Sequence, residues 1–131
     1  MNEAGRPVVL VVDDEPRILS ALMRALRREG YELLTAESPH EALRVAEEHA
    51  IDCVLSDHRM PGMTGLELLE RIAARRPNAA RLLFTGWNTE IPVSELTRLG
   101  VRRVLSKPWK DAELKQELRA AVSDAGAGHP S

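Results

Sequence analysis

The chain has 131 residues, 44% of them hydrophobic and 29% charged, with a formal net charge of −2. A chain of this length makes one domain that buries roughly 65–70% of its unfolded surface, so it needs neither a disulfide framework nor a structural metal. The near-balanced charge excludes a strongly basic nucleic-acid binder, and no apolar stretch is long enough to span a bilayer.

Val8–Val12 is a run of five aliphatic residues, mostly β-branched, as expected of a strand covered on both faces in a parallel sheet. It ends in Asp13, Asp14 and Glu15. Three successive acids after a buried strand repel one another, which raises their proton affinity unless a cation is near; a hard divalent cation with oxygen ligands is the natural remedy. Pro16 suits a first helical turn, and Ile18, Leu19, Leu22, Ala25 and Leu26 recur at helical spacing down to a stop at Gly30. Glu32–Ala36 reads as a second strand. Ser38 and Glu41 have capping-box spacing with Pro39 at the first helical position, predicting a helix to about His49 that buries Leu43 and Ala46. His40 and His49 fall on its solvent side and share no metal-ligand spacing.

Ile51–Ser56 is the third strand, delivering Asp57 to its carboxyl end, where a loop with one proline and two glycines runs to Gly65. Taken alone, Asp57 reads as a turn cap. Thr64 and Glu67 form another capping-box pair ahead of a helix through Leu66, Leu69, Ile72 and Ala73, ending near Arg76-Pro77. Ala80–Phe84 is the fourth strand, with Thr85 at its end and Gly86 behind it. Pro92 forbids a helix interior within Asn88–Gly100, leaving a short, mobile helix over Val93–Leu99. Arg103–Ser106 is the fifth strand, followed by Lys107-Pro108-Trp109, and Asp111 caps a last helix burying Leu114, Leu118, Ala121 and Val122. Gly126–Ser131 has loop composition.

The arginine pairs Arg27–Arg28, Arg75–Arg76 and Arg102–Arg103 sit at helix ends or a strand start, where cations complement terminal carbonyls or face water, and no basic stripe joins them. Cys53, the single cysteine, lies in an apolar strand and reads as a small buried hydrophobe in a reducing compartment. The first residues lack the basic-then-apolar order of a signal peptide. These features predict a cytoplasmic protein with no direct nucleic-acid or membrane contact.

Strand and helix alternate five times, which argues for an α/β fold: a five-stranded parallel sheet with helices on both faces and right-handed crossovers. Parallel strands point the same way, so their carboxyl ends line one rim. Asp13-Asp14, Asp57, Thr85 and Lys107 therefore meet at one pocket, as three carboxylates, a hydroxyl and an ammonium.

With these residues in this order, the chain resembles the receiver domains of two-component response regulators from about Val8 to Val122. The resemblance rests on the Asp-Asp pair after strand one, Asp57 followed by Met-Pro-Gly-Met-Thr-Gly after strand three, Thr85-Gly86 after strand four and Lys107-Pro108 after strand five. It implies a flavodoxin-like, doubly wound sheet in strand order 2-1-3-4-5 with five helices. The implied boundaries are a tail over residues 1–6, a receiver domain over 7–124 and a tail or the start of a linker over 125–131. It further implies that Asp57 accepts a phosphoryl group from a sensor histidine kinase or phosphotransfer protein. Mg²⁺, for which Mn²⁺ can substitute, would be held by Asp13, Asp14, Asp57 and the backbone carbonyl of Arg59. Lys107 would pair with one phosphoryl oxygen and the Thr85 hydroxyl with another, and the fourth helix, fifth strand and fifth helix would form the surface read by an output domain or effector protein. A homodimer is left open, and no turnover enzyme is implied.

Val104 occupies the position, three before the lysine, where many family members carry an aromatic residue that moves with the threonine. Trp87 and Arg59 flank the pocket mouth, at positions that the resemblance implies help set phosphoryl lifetime; two readings stand open, that the bulky Trp and long Arg slow attack by water on the phosphoryl group, or that Trp87 simply covers loop backbone. The Asp57–Pro61 and Lys107–Trp109 stretches look more like receivers attached to cyclic-dinucleotide phosphodiesterase domains, or to some ATPase-type transcription regulators, than like those of winged-helix regulators. Three rival readings fit less well. A haloacid-dehalogenase-type phosphohydrolase carries its nucleophile in an Asp-x-Asp pair on the first strand, a degenerate receiver would not keep every charged site residue, and a flavodoxin-type nucleotide carrier needs a phosphate-cradling loop where this chain has acids.

Overall fold

A computed structural model describes residues 1–86 and 90–126 of the chain. The aliphatic run Val8–Val12 is strand β1, buried along its whole length. It pairs in parallel with β2 (Glu32–Ala36) on one side and β3 (Cys53–Asp57) on the other. A strand flanked on both edges and covered on both faces has no solvent side, which is why its sequence does not alternate. β4 (Ala80–Gly86) and β5 (Val101–Lys107) complete a sheet of order β2-β1-β3-β4-β5, the predicted architecture.

The five helices are α1 (Pro16–Leu26), α2 (Pro39–Glu48), α3 (Gly65–Arg75), α4 (Val93–Arg98) and α5 (Asp111–Gly126). Successive strand side chains point to opposite faces, and the core divides accordingly. Val8, Leu10, Val12, Val54 and Leu83 pack with Ala42 and Ala46 of α2 and with Leu68, Leu69 and Ile72 of α3. Val9, Val11, Cys53, Leu55, Leu82 and Phe84 pack with Leu19, Leu22 and Leu26 of α1 and with Leu114 and Leu118 of α5. Burial pushes the Cys53 thiol well above its ordinary pKa, as befits a packing residue.

Local signals set most element boundaries, and tertiary contacts moved the rest. Thr64 and Glu67 make both bonds of a capping box at α3. At α2 only half of the expected box forms: the Ser38 hydroxyl accepts from the Glu41 N–H, while the Glu41 carboxylate accepts from the Glu37 N–H instead of from Ser38. Leu43 is half-buried, and Ala42 takes the fully buried place beside Ala46. Helix α1 stops at Leu26, before Gly30, whose φ of +86° turns the chain. The third strand starts at Cys53 rather than Ile51, because Asp52 is tied to the start of β1 by its own N–H to the Val8 carbonyl and by its carboxylate to the Val8 N–H.

β5 begins at Val101, two residues earlier than predicted: Val101 pairs with Arg81, and a register shift between Arg81 and Leu82 then brings Arg103 opposite Leu82. The Arg81 guanidinium fills that irregularity, donating to the carbonyls of Leu99, Ala79 and Pro77. Pro92 precedes α4 as expected, and none of the six α4 residues is fully buried. Asp111 is the first residue of α5 rather than its cap, and its carboxylate accepts from the Trp109 indole N–H at 2.9 Å. The expected loop from Gly126 starts inside α5, and residues 127–131 lie outside the described residues.

Candidate functional site

The sheet order reverses between β1 and β3, and the crevice beyond their carboxyl ends is the ligand position of open α/β sheets. Register brings the candidate residues there. Val12 pairs with Ser56, so Asp13 and Asp57 follow side by side. Asp57 pairs with Phe84, Thr85 with Ser106, and Gly86 with Lys107. Residues far apart in the chain thus share one rim.

Asp13 is 1% exposed and fully engaged. Its Oδ1 accepts from the Glu15 N–H, and its Oδ2 accepts from the Lys107 ammonium at 2.5 Å. The same Nζ lies 3.2 Å from Asp57 Oδ1. Asp14 is exposed, yet each of Asp13, Asp14 and Asp57 offers a carboxylate oxygen within 4.8 Å of the others. Three carboxylates against one ammonium leave excess negative charge on hard oxygen donors, and this donor set fits a hard divalent cation such as Mg²⁺.

Electrostatics follow from that crowding. Burial raises the pKa of the Asp57 carboxyl, Lys107 opposes the shift, and the charges of Asp13 and Asp14 add to it. Burial pulls Lys107 down, but the hydrogen bond to Asp13 and the charges of Asp57 and Asp13 outweigh it, and the ammonium is held above its ordinary pKa. Asp57 is thereby a partly desolvated carboxylate whose counter-charge is shared with a neighbour. Such a group can attack an electrophile whose developing negative charge a cation and an ammonium would take up.

The backbone around Asp57 is clamped. The Ser56 hydroxyl donates to the Asp57 carbonyl, the His58 N–H to the Phe84 carbonyl, and the Gly65 N–H to the His58 carbonyl. Gly65 comes so close that an added Cβ would lie 2.3 Å from the Asp57 carbonyl oxygen. Burial lowers the pKa of the His58 imidazole, Arg59 adds to that shift, and its Nδ1 is enclosed with no hydrogen-bond partner.

Of the residues singled out from sequence, Asp13, Asp14, Asp57 and Lys107 converge. Thr85 is buried at the end of β4, next to the residue that pairs with Asp57. Arg59 is exposed, two residues beyond Asp57. Val104 is exposed on β5, and Trp87 lies outside the described residues. Sequence reasoning missed the aromatic support of Lys107: its Nζ stands 6.0 Å from the centre of the Phe84 ring, and Phe84 stacks on Trp109 at 5.4 Å. The chain has only four aromatic residues, and finding one beside each of the two strand-end motifs was the available signal.

Comparison with known proteins agrees with this geometry. The family model for the response regulator receiver domain matches residues 9–119. The hydrogenase transcriptional regulatory protein HoxA of Cupriavidus necator is 35% identical over 119 residues, covering 90% of this chain and 24% of that protein. The transcriptional regulatory protein GlrR of Escherichia coli is 36% identical over 117 residues, covering 89% of this chain and 26% of that protein. The chain therefore spans about a quarter of the length of these curated relatives. Among solved structures, the signal receiver domain of an HD domain-containing protein from Pseudomonas fluorescens superposes with a TM-score of 0.87 at 34% identity, over 93% of this chain and 98% of that one.

Proposed function

Because the chain belongs to the response regulator receiver domain family, we propose that Asp57 is the phosphoacceptor of a two-component signalling protein. The observation that carries this reading is the Lys107 ammonium bridging Asp13 and Asp57 at the rim where three carboxylates converge. An Asp57 carboxylate oxygen attacks the phosphorus of a phosphohistidine on a sensor histidine kinase or phosphotransfer protein. The new P–O bond forms as the P–N bond breaks, and the electron pair returns to the imidazole, which takes a proton from solvent. Asp13, Asp14, Asp57 and the Arg59 carbonyl would hold Mg²⁺, which would supply charge neutralisation when bound. Lys107 leaves its carboxylate partners to pair with a phosphoryl oxygen, and the Thr85 hydroxyl donates to another.

The phosphoryl group brings charge and acceptor oxygens that draw Thr85 inward and bias the surface formed by α4, β5 and α5. That α4 has no fully buried residue supports its assignment as the element that shifts, since little packing opposes its movement. With Val104 in β5, the shift proceeds without an aromatic partner to Thr85. Residues 7–124 act as the receiver domain, in the cytoplasm, passing the signal to an output domain or effector protein rather than turning over a substrate. No described helix is long and apolar enough to cross a membrane, and the two curated relatives named above are transcriptional regulators; both facts accord with this reading.

Intact mass after incubation with acetyl phosphate tests it. Wild type with Mg²⁺ should gain one phosphoryl increment, absent in Asp57→Asn and absent without the metal. If wild type gains none and also fails to bind a beryllium fluoride mimic, the chain is a phosphorylation-independent interaction module instead.

A further inference from the structure

We infer that Trp109, held in place by Asp111, is a positioning residue for Lys107 and acts through Phe84; its role in phosphoryl transfer rests on the reading of Asp57 above. Lys107 has a flexible four-carbon stem, and its ammonium has to move from Asp13 and Asp57 to an arriving phosphoryl oxygen. One boundary of that movement is the Phe84 ring, 6.0 Å from the ammonium, and an ammonium near a ring is attracted by the quadrupole of the ring. Phe84 is 1% exposed, and its Cα is fixed opposite Asp57 by the β3–β4 register. Trp109 stacks on Phe84 with the planes tilted by 37°.

The indole itself is not enclosed. Beside it lies a cleft of about 560 Å³ lined by Ile18, Lys107, Pro108, Trp109 and Asp111. The indole has room to swing into that cleft, which would uncover Phe84 and open space next to Lys107. The bond it would lose is the one from its Nε1–H to Asp111 Oδ1. Asp111, four residues past the strand that carries Lys107, thus holds the indole on Phe84, and Phe84 confines the ammonium. Asp111 touches no reacting group in this arrangement and acts only through its neighbour.

The test reads Lys107 directly. Lys107, Lys110 and Lys115 are the only lysines of the chain, so [15N]lysine labelling gives three ammonium signals. The one held by Asp13 and Asp57 should exchange with water slowly. Asp111→Ala should speed that exchange by about tenfold, as a released local structure does, whereas Asp111→Asn, which keeps an acceptor for the indole, should stay at the wild-type rate. The difference between these two neutral variants isolates the acceptor from the charge. Trp109→Phe should remain within about twofold of wild type by keeping a ring on Phe84, and Trp109→Leu should match Asp111→Ala. In parallel, the maximal rate of phosphorylation by acetyl phosphate should fall about tenfold in Asp111→Ala with KM unchanged, because misplacing a charge-stabilising group affects the transition state. Lys107 exchange at the wild-type rate in both Asp111→Ala and Trp109→Leu overturns the inference. If wild type takes up no phosphoryl group at all, the phosphoacceptor reading fails, while the exchange rates still decide whether Trp109 positions Lys107.

Discussion

Gly65→Ala probes the contact that holds α3 against the strand end carrying Asp57. A Cβ at this position would lie 2.3 Å from the Asp57 carbonyl oxygen, 2.8 Å from His58 Cα and 2.8 Å from Leu83 Cδ1. Two of the three atoms are backbone, the His58 backbone is hydrogen-bonded on both sides, and Leu83 is fully buried. Relief therefore requires the start of α3 to move away from β3 by about 1 Å to restore an ordinary contact distance. Overpacking of this kind costs about 1–3 kcal/mol, and backbone collisions place it at the upper end. The better helix propensity of alanine returns less than about 1 kcal/mol. The net loss is about 2–3 kcal/mol, or on the order of 10 °C in Tm for a domain of this size. Urea unfolding at 25 °C measures it, with Gly86→Ala as the control, since a Cβ there meets nothing within 4 Å. The same displacement shifts Asp57 relative to Lys107, so phosphorylation by acetyl phosphate should fall by about tenfold or more at temperatures where the variant is folded. A Gly65→Ala protein within about 0.5 kcal/mol of the control would refute the close-approach reasoning.

Two further outcomes follow from buried polar groups. The Tyr31 hydroxyl is buried without a hydrogen-bond partner, and its pKa is pushed up to about 12, first by burial and then by the charge of Glu29, with Arg119 opposing. Above its ordinary pKa near 10 the unfolded chain releases this proton before the folded protein does, so stability falls as pH rises from about 10 to 12. Tyr31→Phe should remove that part of the alkaline loss and at neutral pH stabilise by up to about 1 kcal/mol, as read by unfolding at pH 7 and pH 11; an unchanged alkaline slope would count against it. Arg81→Met, which frees three carbonyls at the β4–β5 irregularity, should cost about 1–2 kcal/mol. Arg98→Ala, whose exposed side chain pairs with Glu95 and reaches Glu70 at 3.6 Å, should leave the unfolding midpoint indistinguishable from wild type at physiological salt, where exposed ion pairs are screened. Reversal of that order in chemical unfolding would show that α4 depends on its ion pairs.

Much of the fold was legible because its signals are local. The Val8–Val12 run, the Thr64–Glu67 box and Pro92 each act within a few residues, and the strand ends carrying Asp13, Asp57, Thr85 and Lys107 could be read from where apolar runs stop. The half-formed box at Ser38, the early start of β5 and the position of Asp111 within α5 were not legible, because Glu37, Arg81 and Trp109 compete for the same groups through contacts that local patterns do not encode.

By itself, the sequence determined that the acids, the hydroxyl and the ammonium would stand at one rim, since parallel strands end together whatever their packing. Only the tertiary structure decided how they divide the work. Asp13 turned inward to take the Lys107 ammonium, a partner 94 positions away, while Asp14 next to it faces solvent. Gly65 came within a Cβ of the Asp57 backbone, and the Phe84 ring came to stand 6.0 Å from the Lys107 ammonium and 5.4 Å from the Trp109 ring. Each of these depends on register across the sheet and on which face a side chain takes, and a change of one residue in either would exchange the partners.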